Sequence, residues 1–195
     1  MLITNEFEVA APVDKVWRFF GNIPHVAACL PGAELTDDLG DDRYKGRVSI
    51  RMGPVRLRFA GTAEITERDD AGKRIVVNAA GADERGRGQA AMVVSATLAR
   101  AGNGTKVGVT QDLQISGAAA QYGRGMISDV SSVLMRDFAA NLASGIARVD
   151  RGESLDGQAP AVSEASGLAV GLRAAMMALR RVFRRFFAPY QPNPS

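Results

Sequence analysis

Between Ala33 and Ser116 apolar and polar side chains alternate with a period of two, and from Ala118 to Val149 the apolar period lengthens to three or four. That switch limits the fold more than any other feature. Tyr44, Val48, Ile50 and Met52 alternate with Arg43, Lys45, Arg47, Ser49 and Arg51. Past Gly53-Pro54, Val55, Leu57, Phe59, Ala63 and Ile65 alternate with Arg56, Arg58, Thr62 and Glu64. Successive side chains of a strand point to opposite faces, so this pattern predicts an antiparallel sheet with one apolar and one polar face. Asp69-Asp70-Ala71-Gly72 and Ala101-Gly102-Asn103-Gly104 read as hairpin turns. The meander comes to about six strands, seven with Leu2–Val9.

The sheet needs a cover for its apolar face. Ile127, Val130, Leu134, Phe138, Leu142, Ile146 and Val149 recur at helical spacing and predict one long helix to provide it. Near the start, Pro12 and Asp14 suit the first turn of a short helix carrying Val13, Val16, Trp17 and Phe20 and ending at Gly21. A second short piece is expected from Asn22 to Cys29. The order β, two short helices, six strands, long helix is an α+β layout in which a curved sheet grips a helix.

The inward positions of that sheet are short of bulk. Gly46, Gly61, Ala63, Ala79, Gly81, Gly88, Ala90 and Ala96 fall at or near inward phase, whereas a solid core packs to crystal-like density. Two readings stand: a helix docked tightly on small residues, or an interior with room for an apolar guest. In the second, Phe59 and Met92 on the sheet and Met126, Ile127, Val130, Leu134 and Phe138 on the helix form the wall. Tyr122 is then the polar contact near the mouth. Gly123 and Gly125, in the first turns of the expected helix, point to a close backbone approach to the sheet or to a ligand.

Domain organisation follows from composition: a body over 1–149, a linker over 150–166 and a basic helix over 167–188. The linker stretch collects Gly, Ser, Pro and acids without apolar period, and its coil-like span is roughly 23 Å. On a helical wheel, Leu172, Met176, Leu179, Phe183, Phe186 and Phe187 share an apolar arc of about 140°. Arg173, Arg180, Arg181, Arg184 and Arg185 occupy the opposing arc. This segregation describes an interfacial helix on an anionic membrane; docking on the body or on a partner protein is the alternative. Residues 165–195 contain those five arginines and no acid, which leaves 19 basic against 21 acidic residues in 1–164. The basic overall balance therefore gives no reason to expect a nucleic-acid surface on the body.

Catalytic constellations are sparse. His25 is the only histidine and Cys29 the only cysteine. A Cys–His dyad needs an orienting third group and an oxyanion hole, and neither is announced. Gly81, Gly86 and Gly88 lie between strands with no helix behind them, as a hairpin does and a phosphate loop does not. Asp37, Asp38, Asp41 and Asp42 lack the loop length and terminal Glu of a calcium site. No catalytic residue, metal ligand or covalently bound cofactor is expected. With no secretory-type start and one cysteine, the body is expected to be cytoplasmic, peripheral on the cytoplasmic face of the inner (plasma) membrane.

Phe7-Glu8-Val9 followed by Pro12-Val13-Asp14-Lys15-Val16-Trp17, the turn Cys29-Leu30-Pro31-Gly32-Ala33 and the string Gln121-Tyr122-Gly123-Arg124-Gly125-Met126-Ile127-Ser128-Asp129-Val130 resemble the CoxG-like family, the G subunits of carbon monoxide dehydrogenase. That family belongs to the START/SRPBCC helix-grip superfamily, and the resemblance covers residues 1 to about 149. It implies a START-like seven-stranded antiparallel sheet around a C-terminal helix, with an apolar cavity between them. It also implies a bound respiratory quinone (menaquinone or ubiquinone) and recruitment of a CO dehydrogenase-type molybdenum hydroxylase to the membrane. An assembly factor for that dehydrogenase and a cyclase- or hydrolase-like enzyme are the competing functions.

The wheel makes one testable statement. Deleting residues 164–195 is expected to leave a folded body that loses most of its sedimentation with anionic vesicles. High salt is expected to weaken binding of the full chain by screening the arginines. Undiminished binding of the truncated chain refutes the membrane assignment of the tail.

Overall fold

The computed structural model describes residues 1–153 and Leu155. The basic helix expected over 167–188, with its named leucines, phenylalanines and arginines, lies outside the described residues. So does most of the linker.

Seven strands form one antiparallel sheet: β1 (Leu2–Val9), β2 (Ala33–Gly40), β3 (Arg43–Met52), β4 (Val55–Asp69), β5 (Arg74–Asp83), β6 (Gln89–Ala101) and β7 (Gly104–Ile115). Their order is β1-β7-β6-β5-β4-β3-β2, a meander whose last strand returns to pair with the first. Two short helices, α1 (Val13–Phe20) and α2 (Ile23–Cys29), lie between β1 and β2, and a long one, α3 (Gly123–Asp150), follows β7. Asn22 starts α2: its side-chain oxygen accepts the His25 backbone N–H at 3.1 Å, an N-cap that satisfies one free donor of the first turn. At the β4–β5 turn the Asp69 carboxylate accepts the N–H groups of Ala71 and Gly72, each at 2.9 Å, which closes the chain reversal locally.

The register places the inner face row by row. Leu35, Gly46, Gly61, Gly81, Ala90 and Ile115 are successive cross-strand partners from β2 to β7. The neighbouring row is Tyr44, Ala63, Ala79, Met92 and Leu113. A Cβ on Gly61 would lie 2.0 Å from the Ala80 carbonyl oxygen, and one on Gly46 2.7 Å from the Glu34 oxygen. The glycines thus serve backbone contact where the sheet curls, and the room they leave inside is a by-product. Gly88 departs from the expected inward position. It sits in the turn after β5, where a Cβ would meet the Ser116 carbonyl oxygen at 2.1 Å.

Two further differences concern α3. Gly117–Tyr122 forms a 3-10 turn rather than the start of the α-helix. Gly123, at φ 74° and ψ 157°, makes the junction, and a Cβ there would meet nothing within 4 Å. That glycine answers to backbone conformation, and no part of the sheet approaches it closely. At the other end α3 continues to Asp150, and Leu155 is 7% exposed within the main core. The packed body therefore extends past residue 149.

Side chains on α3 meet the sheet mainly along β1 and meet α2 beside it. Phe138 packs edge-to-face on Phe7 at 5.9 Å and on Phe20 at 6.4 Å. Leu142, Val16 and Val107 are fully buried around it. Gly145 is the tightest helix–helix point, because a Cβ there would sit 3.0 Å from Phe19 Cζ and 3.3 Å from Cys29 Sγ. Gly145→Val is therefore expected to cost about 1–3 kcal/mol through overpacking, read as a lowered denaturation midpoint with an unchanged slope.

Candidate ligand-binding site

The core is divided. One cluster gathers Val9, Val16, Trp17, Phe19, Phe20, Cys29, Ile75, Leu98, Phe138, Leu142 and Ile146 at the α1–α2 end. A second gathers Ile3, Met52, Leu57, Phe59, Ala119 and Ile127 at the opposite end, with Tyr122 and Ala90 half-buried against it. Between them runs the small-residue part of the inner face. Along β6 the transition is direct: Leu98 and Ala96 are 4% and 5% exposed, Val94 is half-buried, and Met92 is 37% exposed although it points to the inner face. Ala63 and Ala79 beside it are likewise only half-buried. A packed inner face would bury all of them.

The structure distributes the expected wall residues unevenly. Phe59 and Ile127 meet in the second cluster, which closes one end of the gap. Val130 is buried and Leu134 half-buried on α3 between the clusters. Met126 is 41% exposed at the start of α3. Phe138 belongs to the larger core, where its ring is enclosed by Phe7 and Phe20 and faces no open space.

Gln111 is the residue that pattern reading passed over. It falls at inward phase on β7, opposite Ile3 and Val94. Its Oε1 accepts from the Ser131 hydroxyl at 3.4 Å, and that hydroxyl accepts from Asn5 Nδ2 at 3.4 Å. The Gln111 Nε2 is buried without a hydrogen-bond partner among the described residues. An unmade bond of this kind costs about 1–3 kcal/mol, and it sits between the two clusters, beside the gap. The signal available in the sequence was a glutamine and a serine at apolar-phase positions of β7 and α3.

Beyond the second cluster the ends of the strands are held by a carboxylate. Asp83 is 4% exposed. It accepts from Arg87 Nε at 2.8 Å and Nη2 at 2.9 Å and from the backbone N–H groups of Arg58, Arg85 and Arg87. The Arg87 guanidinium first, and those N–H groups after it, hold the Asp83 carboxyl well below the usual carboxylate range. Arg87 also donates to the Arg56 carbonyl at 2.8 Å, and its own carbonyl accepts from Ala118 N–H at 2.7 Å. One ion pair thus ties the β3–β4 hairpin, the β5–β6 turn and the approach to α3.

Among the described residues, reactive groups do not converge on the gap. Cys29 is buried, and burial pushes its thiol up to about 11, so it carries no thiolate at neutral pH. His25 stacks on Phe19 at 5.5 Å. Among the described residues no three His, Cys, Asp or Glu side chains gather as a metal site. A separate cleft of about 400 Å³ opens beside Trp17, Asn22 and Arg68. There the indole N–H donates to Asp70 at 2.6 Å, which leaves that nitrogen satisfied.

Known proteins share this fold. The profile of the family described as the G subunit of carbon monoxide dehydrogenase (CoxG) matches residues 6–147. No curated protein matches the chain. A conserved protein from Geobacillus kaustophilus is similar in structure at TM-score 0.68 and 21% identity, over 76% of this chain and 96% of that one. The Zhui aromatase/cyclase from a Streptomyces species is similar at TM-score 0.55 and 15% identity, over 81% and 99%. A Thalictrum norcoclaurine synthase point mutant, in complex with a transition-state analogue, is similar at TM-score 0.53 and 14% identity, over 77% and 96%. These likenesses establish the helix-grip fold.

The Asp83 arrangement sets a pH test. A folded-state pKa below the unfolded value gives stability that is present above about pH 4 and lost as pH falls through and below that value. The stability difference between the parent chain and Asp83→Asn is expected to be largest at neutral pH and to shrink on acidification below about pH 4. Parallel unfolding curves across that range contradict the assignment.

Proposed function

This chain belongs to the CoxG family, the G subunits of carbon monoxide dehydrogenase, and from that premise we propose that it is a non-catalytic carrier of a hydrophobic small molecule, a respiratory quinone of the menaquinone or ubiquinone kind. In this reading it brings a CO dehydrogenase-type molybdenum hydroxylase and the membrane quinone together. The observation that carries the proposal is the incomplete burial of Ala63, Ala79 and Met92 on the inner face between the two core clusters, where α3, with Leu134 half-buried, leaves the sheet uncovered.

The residues present suit such a guest. Small side chains on β4 and β5 leave a flat, half-exposed strip of the inner face, on which an aromatic ring system and an isoprenoid chain would lose water-exposed area. The Gln111 Nε2 supplies a donor with no acceptor, and a ring carbonyl is an acceptor with no donor. Among the described residues no acid–base pair of the kind turnover needs faces the gap, and the family is named for a lettered subunit of a dehydrogenase; both favour binding over catalysis. No helix among the described residues is long and apolar enough to cross a membrane, so membrane contact in this reading is peripheral.

The test is organic extraction of the purified full chain and mass spectrometry of the extract, in parallel with Ala79→Phe. Ala79 is half-buried and faces the gap; Gly88 is unsuitable because its neighbour is backbone. A quinone is expected from the parent chain. Ala79→Phe is expected to lose it while keeping its thermal midpoint, since a hollow site accepts added volume that a packed core resists by about 1–3 kcal/mol. A parent chain without extractable quinone, or a variant that is destabilised as a core would be, refutes the carrier reading.

A further inference from the structure

Successive antiparallel hairpins emerge at opposite ends of a sheet, and in this molecule the two ends differ in charge. The β2–β3 and β4–β5 turns share one end, where Asp41, Asp42, Asp69 and Asp70 stand among Arg43, Arg68, Lys73 and Arg74 and the two signs are mixed and paired. The β3–β4 and β5–β6 turns share the other with the start of α3, contributing Arg51, Arg56, Arg85, Arg87 and Arg124. The slightly acidic total of the body conceals this division.

The basic end is built against its own stability. Arg51 and Arg56 are direct cross-strand partners, followed by Ser49 with Arg58, and like charges placed opposite each other weaken a hairpin. The nearby carboxylates are engaged elsewhere: Asp83 with Arg87, Glu84 with Arg47 at 3.3 Å, and Asp112 with the Met1 amine at 3.1 Å. Among the described residues Arg51, Arg56, Arg58 and Arg85 have no carboxylate at ion-pair distance. Apolar side chains are interspersed at the same end, with Leu2 70% and Met126 41% exposed.

We propose that this basic end is a docking surface for an anionic lipid bilayer, separate from the basic segment after residue 166. Scattered arginines on projecting turns, mixed with exposed apolar side chains and lacking a shaped pocket, suit a charged fluid surface. An acidic protein face would call for matched geometry. The proposal deepens the carrier reading and rests on it, because a carrier of an apolar guest loads where that guest dissolves. Acting alone the face is weak; joined to the tail by a short linker it adds to binding through effective concentration.

The experiment uses the full chain and two vesicle types, phosphatidylglycerol with phosphatidylcholine and phosphatidylcholine alone. Arg51→Glu/Arg56→Glu is compared with Arg18→Glu/Arg43→Glu, which makes the same charge change at the other end. Arg51→Gln/Arg56→Gln covers the case in which the first variant fails to fold. Affinity for the anionic vesicles is expected to fall at least about tenfold for the first variant, by less for the glutamine variant, and not for the control. Equal losses in the two charge-reversal variants, or no loss in either, overturns the proposal. Vesicle binding kept while association with the dehydrogenase is lost also overturns it, and makes this end a protein-docking face. If the parent chain yields no quinone while the selective vesicle loss stands, the carrier reading fails and the docking surface survives.

Discussion

Seven antiparallel strands present a wide concave apolar face, and its burial rests on α3, which meets it mainly along the β1 edge. Everything else about the site follows from that mismatch. Where α1 and α2 add their bulk, Phe138, Leu142 and Ile146 close a solid core. Where α3 rises out of the 3-10 turn, Ile127 and Ala119 seal a smaller one with Phe59 and Leu57. The strip between receives neither. A sheet bent by backbone contacts at Gly46 and Gly61 has no side chains there to fill the space, so a single geometric constraint yields both the curvature and the opening.

Much of this was legible in the residues. Period-two alternation identified the six strands of the meander and their inward set, because burial on one face leaves a strand little freedom of register. The N-cap at Asn22 and the hairpin at Asp69 follow from local side-chain chemistry that works over two or three residues. What escaped was long-range. Nothing local tells that Phe138 lies among other rings while Leu134, four residues earlier, borders open space. Gly88 and Ala90 look alike in a pattern, yet one touches the carbonyl of Ser116 and the other an apolar cluster. Gln111 was hidden because a polar residue at an apolar phase reads as noise until its partners Ser131 and Asn5, far away in sequence, are seen beside it.

The chemistry of the interior bears on the proposal of binding without turnover. The strongest electrostatic feature near the gap, Asp83 with Arg87, is spent on joining chain segments: a carboxylate held by two guanidinium nitrogens and three backbone N–H groups is a poor proton donor. Cys29 is kept protonated by burial, and His25 packs its ring against Phe19 at the α1–α2 end. Among the described residues the buried side-chain nitrogen left without a partner beside the gap is the Gln111 amide, which can orient a guest but cannot take or give up a proton near neutral pH.

The docking of Leu155 and the ion pairs of Glu153 with Arg148 at 3.1 Å and Arg151 at 2.6 Å fix where the chain departs, near the C-terminal end of α3. A helix of that length rises about 42 Å, so departure lies roughly a full body length from the basic end. The eleven residues between Leu155 and Gly167 span at most about 36–40 Å when fully stretched and far less as a relaxed coil. A tether that short acts as a protractor. If the proposed tail and the basic turns rest on one bilayer, a reach of eleven residues set against about 42 Å of helix favours a body that reclines over one that stands upright on it.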